Sequence, residues 1–270
     1  MVLPEYREKI LYPRYEKIFL KEYENEFHAL FSTTGPAPAI RLRKSMGYVF
    51  EHEWINIYIG SEPFSSLNLI KERYLNREDN ISLQLSRLGS RCVNGTEIAC
   101  IDDELESFDF DGFWAIASKK YSLTPARTRA NLNWRFWSNP YNTYHTIKLV
   151  NPKHGFCIAI ITIKSGYLLR LEDFYCEDPN NLAYFLDVLR KWCKSFLRIQ
   201  TTVISSTTDN LDFFGSHQNR QSLWIHNLIK RGLSMNREKM PRKITKNGDL
   251  LGINKDDNWF VTPFYFEGRS

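Results

Sequence analysis

The chain has 270 residues, of which 43% are hydrophobic and 25% are charged. These fractions are ordinary for a globular protein, and they exclude a collagen-like, mucin-like or wholly disordered chain. At about 150 residues per domain, the length predicts roughly two domains or one large one. No stretch is long and apolar enough for a transmembrane helix, and scattered charges near the start argue against a secretory signal.

Charge and cysteine usage narrow the partners and the compartment. The net charge is +5, and the excess lies in residues 220–255, a stretch that could attract nucleic acid or a phosphorylated small molecule. A solvated helix face and loop explains the same stretch more simply. The five cysteines form no Cys-x-x-Cys pair, which fits free thiols in a reducing cytoplasm. We therefore predict a cytoplasmic protein without a bound metal.

The first part of the chain predicts two helices and two strands. Apolar spacing indicates a helix over 12–26, a short strand over 28–33 and a helix over 38–46 that ends at Gly47. Alternating residues over 48–59 predict one long strand or a tight hairpin. Residues 61–96 are the most polar and predict a linker, within which 67–75 could form a helix.

A second set of elements begins near residue 97. The continuous apolar run 156–163 predicts a strand buried on both faces. The clearest helix covers 182–196, and Asp178-Pro179-Asn180 supplies its start signal. The other predicted elements are strands over 97–101, 144–150, 168–176, 201–205 and 258–266, and helices over 108–121, 125–137 and 223–230.

This order of elements, with three successive strands followed by helix, strand, helix and closing strands, resembles the GNAT acyltransferase superfamily. Residues 134–141 (WRFWSNPY) are similar to the WRF-x-x-P-x-x-Y stretch of a bacterial GNAT-like group often linked to polysaccharide or lipid-carrier pathways. Residues 171–174 (LEDF) resemble the end of its fourth strand, and residues 257–262 (DNWFVT) its last strand. The resemblance implies an α/β (α+β) fold whose mixed, mostly antiparallel sheet is flanked by helices.

The first sixty residues resemble the back half of another GNAT unit. Residues 2–7 (VLPEYR) are similar to the entrance of the acyl-CoA pyrophosphate loop, and residues 38–48 to the helix after the fifth strand. The resemblance implies a partial unit over 1–60, a linker over 61–96 and a complete domain over 97–270. It would place three strands and two helices before Val2, so we expect a longer natural chain or a half-unit that pairs with something else.

The same resemblance implies acetyl-CoA or another acyl-CoA as co-substrate, held by backbone N–H groups at a helix N-terminus. In this chain the phosphate-binding positions correspond to Tyr6, Arg7 and Lys9. Glu8 and Ile10 stand where the superfamily has glycine. The tyrosine that often serves as general acid is replaced by Arg43, which cannot donate a proton near neutral pH.

Glu172 and Asp173 are the candidate catalytic carboxylates. They are adjacent on a predicted strand, so alternation places them on opposite faces. One could serve as general base for the acceptor amine, and the other could pair with Arg135. His226, on the predicted helix 223–230, is a further acid–base candidate, although a lone histidine on a helix is more often a packing or surface residue.

Three functions follow from these patterns. The first is an acyl-CoA-dependent N-acyltransferase whose acceptor is a small amine such as an amino sugar. The second is a catalytically degenerate GNAT-fold protein that binds a ligand or a partner, which the lost glycines favour. Binding of nucleic acid through residues 220–255 is the weakest of the three.

Overall fold

The computed structural model describes residues 11–31, 37–60, 84–85, 87–121, 124–164, 168–197, 199, 201–207, 238–246 and 262. The chain divides into two compact units, one formed by residues 1–54 with 237–258 and the other by residues 55–236 with 259–270. The predicted helices 67–75 and 223–230 lie outside the described residues, as does the predicted strand 258–266 apart from Thr262.

The helices and strands agree with most of the predicted positions. In chain order they are α1 Leu11–Tyr23, β1 Ala29–Phe31, α2 Ala37–Ser45, β2 Val49–Gly60, β3 Arg91–Val93, β4 Thr96–Cys100, α3 Phe110–Ala117, α4 Arg129–Leu132, β5 His145–Asn151, β6 Gly155–Lys164, β7 Leu168–Cys176, α5 Leu182–Trp192, β8 Thr201–Thr207 and β9 Glu238–Ile244. Single 3-10 turns cover Asp102–Glu104, Ser118–Lys120 and Pro179–Asn181, and π turns extend α4 and α5 over Asn133–Trp137 and Cys193–Leu197.

The first unit builds a small sheet in which β9 pairs antiparallel with both β1 and β2. Its described core contains Leu20, Leu30 and Tyr48. Gly47 has a φ of +85°, and this left-handed residue ends α2 as predicted. The Tyr48 backbone N–H then donates to the Arg43 carbonyl at 3.0 Å, which satisfies one of the last helix carbonyls.

Strand β9 was not predicted. Its residues lie in the basic stretch 220–255, which was interpreted as a helix face and loop within the predicted domain 97–270. Pro241 lies within it and cannot donate to a ladder. The register of the β2–β9 pair shifts between Val49 and His52, opposite this proline. The resulting bulge removes the need for the missing N–H, so a strand with an internal proline can still pair on both sides.

The second unit contains a sheet in the order β8-β7-β6-β5-β4-β3. Strands β3 to β7 are antiparallel to their neighbours, and β8 is parallel to β7. Asn94 and Gly95, with φ of +51° and +72°, form the two-residue turn between β3 and β4, as primed hairpin turns require. The predicted mixed, mostly antiparallel sheet flanked by helices is confirmed.

Helices cover both faces of this sheet. Leu182, Phe185 and Leu189 of α5 are buried, and Tyr184 on the same helix hydrogen-bonds Thr96 at 2.8 Å. On the other face, Phe113 of α3 packs against Tyr175 with ring centroids 5.4 Å apart. Every β6 residue from 157 to 163 is buried, which confirms the predicted strand with two covered faces.

Two details of the second unit differ from the prediction. The helix predicted over 125–137 begins only at Arg129, where Thr128 caps it by accepting the Asn131 N–H at 3.3 Å. Arg127 lies in the irregular segment before this cap and binds Asp173 of β7. Strand β3 lies within the predicted linker 61–96, where its pairing with β4 gives order to a polar sequence.

Candidate functional site

A β-bulge in β7 is the central feature of the candidate site. Ile160 of β6 stands opposite Asp173, and the next residue, Ile161, stands opposite Leu171, so Glu172 is the extra residue. Bulges re-aim side chains and are common beside active sites. Because alternation fails at the bulge, the prediction that Glu172 and Asp173 face opposite sides is wrong. Glu172 bonds Thr162, which shares a face of β6 with Ile160.

The bulge coincides with the end of the parallel ladder between β7 and β8. Pairing runs from Leu168 opposite Thr201 to Leu171 opposite Ile204. Both strands continue beyond that point, β7 to Cys176 and β8 to Thr207, without pairing with each other. A strand edge released in this way can hydrogen-bond an extended ligand chain.

Asp173 is held by a buried ion pair with Arg127. The Arg127 Nε donates to Asp173 Oδ2 at 2.7 Å, and its second nitrogen Nη2 donates to Oδ1 at 3.0 Å. Thr262 donates to Oδ1 at 2.7 Å. Both side chains of the pair are 0% exposed. With both oxygens bound and no solvent contact, Asp173 is suited to fastening Arg127 to the sheet rather than to accepting a proton from a substrate.

Aromatic rings enclose the same guanidinium. The Arg127 Cζ lies 5.0 Å from the Tyr175 ring centroid and 5.4 Å from that of Trp114. Arg127 also donates to the Pro125 carbonyl at 3.1 Å. This one side chain therefore ties the irregular segment before α4 to α3 and to the sheet.

Glu172 is the better placed of the two carboxylates for chemistry. Its side chain is 4% exposed, and Oε1 accepts a hydrogen bond from Thr162 at 2.9 Å. The Arg170 Nε lies 3.4 Å from the same oxygen. These two contacts fix the orientation of the carboxylate at the end of the β7–β8 ladder.

Tyr144 lies immediately before β5 and belongs to the same neighbourhood. Burial raises the pKa of Tyr144, and the Glu172 carboxylate raises it further, whereas Arg135 and Arg170 oppose the shift. The Phe136 ring packs edge-on against it with centroids 5.1 Å apart. Sequence reasoning did not single out Tyr144, Thr162 or Arg170 for the site, because only the register brings them together.

The other predicted site residues fall elsewhere. Tyr6, Arg7, Lys9 and His226 lie outside the described residues. Arg43, which the sequence resemblance assigned to the tyrosine position, lies in the first unit with its Nε 3.6 Å from Glu16 Oε1, and both side chains are largely buried. This ion pair gives Arg43 a structural role within that unit.

A second polar cluster joins the end of β4 to the start of β5. The Asp102 Oδ2 lies 2.7 Å from His145 Nδ1, and Oδ1 accepts the Thr146 backbone N–H at 2.7 Å. Cys100 stands beside them, and burial, followed by the charge of Asp102, raises the pKa of its thiol to about 12. Among the described residues this is the cluster that brings three donors of the metal-binding types together.

Among the helices that the structure describes, none is long and apolar enough to cross a membrane. Neither a protein-family model nor a curated protein matches the sequence.

Solved structures with a similar fold exist at low sequence identity. A GCN5-related N-acetyltransferase from Sphaerobacter thermophilus is 11% identical, with a TM-score of 0.43 over 90% of this chain and 70% of that one. A tandem GNAT protein from the clavulanic acid biosynthesis pathway is 11% identical, with a TM-score of 0.37 over 90% and 73%.

A third similar structure is a conserved protein of unknown function from Enterococcus faecalis, described as a probable N-acyltransferase. It is 10% identical, with a TM-score of 0.49 over 90% of this chain, and the matched region spans about half of that protein, 52% of its length. The descriptions of these three structures name an N-acetyltransferase, a probable N-acyltransferase and a tandem GNAT protein.

Proposed function

We propose that the second unit transfers an acyl group from acyl-CoA to the amine of a small molecule, with Glu172 as general base. The observation that carries this proposal is the coincidence of the bulge with the end of the β7–β8 ladder. The edge of β7 freed between Glu172 and Tyr175 suits the amide-containing arm of CoA, which can bind as an added strand. That edge begins at Glu172, directly after the last paired residue, Leu171. At Cys176 the Tyr121 hydroxyl already binds the backbone N–H and carbonyl.

The chemistry required of Glu172 is a proton transfer. The lone pair of a neutral amine attacks the thioester carbonyl, and a C–N bond forms. Glu172 accepts the proton from the amine nitrogen, directly or through one water. The C–S bond then breaks, and the CoA thiolate leaves and takes a proton from solvent. Thr162 and Arg170 hold the carboxylate in place during these steps.

Several parts of the proposal rest on the sequence alone. From the resemblance of the first sixty residues, Arg7 and Lys9, with Tyr6 beside them, are proposed contacts for the phosphates of an acyl-CoA bound by the first unit. His226 is a second acid–base candidate. An amino sugar is the proposed acceptor, and the cytoplasm the proposed compartment. Replacing Arg7 by alanine is expected to weaken CoA binding, and an unchanged affinity would remove this assignment.

The first test is calorimetric titration of the full chain with acetyl-CoA. We expect micromolar or tighter binding, and release of free CoA thiol when an acceptor amine is added. Absence of heat and of a thermal shift at millimolar acetyl-CoA would contradict the proposal and favour a degenerate GNAT-fold binding protein.

The second test is the variant Glu172→Gln, which keeps the shape of the side chain and removes the base. We expect unchanged affinity for acetyl-CoA and a fall in the transfer rate of about 10²- to 10⁴-fold. Asp187→Asn is the matched control, because Asp187 is a half-exposed carboxylate that pairs with Lys191 on α5. A Glu172→Gln rate equal to that of the control would remove the assignment of the base.

A further inference from the structure

We propose that Cys100, Asp102 and His145 form a binding site for a divalent transition-metal ion, and that Zn²⁺ suits their donor set best. Each residue offers one ligand atom, and these sulfur, oxygen and nitrogen atoms lie within 4.8 Å of one another. Thiolate, carboxylate and imidazole are each ligands that zinc takes in proteins. The site departs from the sequence-based expectation that the chain binds no metal.

The spacing of the three donors is close to what a tetrahedral ion requires. Zinc–ligand bonds of about 2.0–2.3 Å place neighbouring donors roughly 3.3–3.8 Å apart. Asp102 Oδ2 and His145 Nδ1 are already 2.7 Å apart. Small rotations of these side chains would admit the ion, which would replace the proton that the two atoms share in the hydrogen bond.

The backbone holds the three residues in place before any ion binds. Cys100 ends β4 opposite Ile147 of β5, and the Ile101 N–H donates to the Thr146 carbonyl at 2.9 Å. His145 is the first residue of β5. The ladder therefore fixes Cys100 and His145, and the Thr146 N–H holds the Asp102 carboxylate from the 3-10 turn that follows β4. Little conformational entropy would be lost on binding.

The second coordination shell is also present. The Thr146 backbone N–H donates to Asp102 Oδ1 at 2.7 Å, which orients the carboxylate and leaves Oδ2 for the ion. Hydrogen bonds of this kind are regular companions of metal ligands. Asp103 adds negative potential next to Cys100.

Access and charge are compatible with an ion. The Asp102 side chain is 31% exposed and the His145 side chain is 7% exposed. Cys100 is partly exposed as well, so two ligands reach solvent and the imidazole is buried. One thiolate and one carboxylate neutralise the two positive charges of the ion, and the thiol proton leaves to solvent. With three protein ligands, a tetrahedral ion would take its fourth ligand from water.

Titration of the chelator-treated full chain with Co²⁺ tests the proposal without any enzymatic readout. We expect one equivalent to bind and to give a thiolate-to-cobalt charge-transfer band in the near ultraviolet, which one equivalent of Zn²⁺ abolishes. Zn²⁺ is also expected to raise the melting temperature. Weak binding without a charge-transfer band in the unmodified chain would overturn the proposal, whatever the outcome for acyl transfer.

Variants locate the ion. Cys100→Ser should remove the charge-transfer band and weaken Zn²⁺ binding by more than about tenfold, the minimum effect reported for lesser changes around metal sites. Cys92→Ser is the matched control, since Cys92 is an exposed free cysteine in β3, and it should leave the band unchanged. Asp102→Asn should weaken binding while circular dichroism shows a folded chain. A band that persists in Cys100→Ser would assign the ion to another thiol and overturn this site.

Discussion

Arg127 is the residue on which the second unit depends most clearly. Two of its three guanidinium nitrogens bind both oxygens of Asp173, and the pair is shielded from water. Removing one member of such a pair leaves a buried charge without compensation, which costs far more than the pair contributes on balance. Loss of Arg127 would affect function only indirectly, by disturbing Asp173, which is the neighbour of the proposed base Glu172.

At this scale we predict that Arg127→Ala lowers the free energy of unfolding by about 3–5 kcal/mol. Arg129→Ala is the control, because its ion pair with Glu106 joins side chains that are 32% and 98% exposed. That change should cost less than about 1 kcal/mol. Urea unfolding measures both, and equal costs would contradict the assigned burial effect.

A double variant separates charge from packing. Replacing Arg127 by methionine and Asp173 by leucine removes both charges, so the combined loss should be smaller than the loss for Arg127→Ala. A combined loss larger than the single one would show that the pair acts through its hydrogen bonds to Pro125 and Thr262.

The candidate site shows what sequence can and cannot predict about single residues. Glu172 and Asp173 were identified as carboxylates on a strand, and the structure places both on β7. Their orientation could not be predicted, because an extra residue in one strand is defined only by the partner strand. The same holds for Arg127, whose partner is 46 residues away in the chain.

At the scale of elements, the start of α3 shows how a cap and a glycine depend on each other. Asp109 accepts the Gly112 backbone N–H at 2.9 Å, so its side chain caps the helix. A Cβ on Gly112 would approach Asp109 Oδ2 to 2.1 Å. The glycine is therefore required by the position of the cap rather than by its own backbone.

We predict that Gly112→Ala destabilises the second unit although alanine favours helix by about 1 kcal/mol. The displaced carboxylate loses a cap that contributes about 0.5–2 kcal/mol. In an Asp109→Ala background the clash is absent, so the same Gly112→Ala change should become stabilising. Thermal unfolding of the four chains checks the reversal, and two changes of the same sign would contradict it.

Element types were largely predictable, because amphipathic spacing and apolar runs reflect which faces are buried. Strand β7 has the bounds expected from the sequence. Strand β9 was missed, since a proline and basic side chains conceal a strand whose pairing depends on distant partners. The π turns that extend α4 and α5 leave no sequence signal beyond the helical spacing they continue.

At the scale of the whole molecule, buried acids govern the response to alkali. Burial raises the pKa of the thiols of Cys157 and Cys193 and of the phenols of Tyr121 and Tyr175. The folded chain therefore keeps protons that the unfolded chain releases. The stability these groups contribute is complete below their ordinary pKa values of 9.0 and 10.0 and is lost as pH rises through the higher folded values.

We therefore expect the free energy of unfolding to fall continuously as pH rises above about 9. Cys193→Ala should make the slope of the unfolding free energy against pH shallower by the equivalent of about one proton, because the variant lacks one of the thiols that stay protonated in the folded chain. The exposed Cys92, changed to serine, serves as the control for removing a thiol. Denaturant unfolding across the alkaline range measures the slope, and a flat profile would contradict the expectation.

The place of β9 in the first unit has a consequence for the order in which the chain folds during synthesis. Thr245, just after β9, bonds the carbonyl of Phe27, which is 218 residues earlier. The meander β3 to β7 joins strands that follow one another in sequence, so it can form while translation continues. Strands β1 and β2, by contrast, are made early and remain without β9 until residues 238–244 leave the ribosome. The amino-terminal unit should thus complete its sheet later than the meander β3 to β7, and ribosomes that stop before that point would release chains in which β1 and β2 lack their shared partner strand.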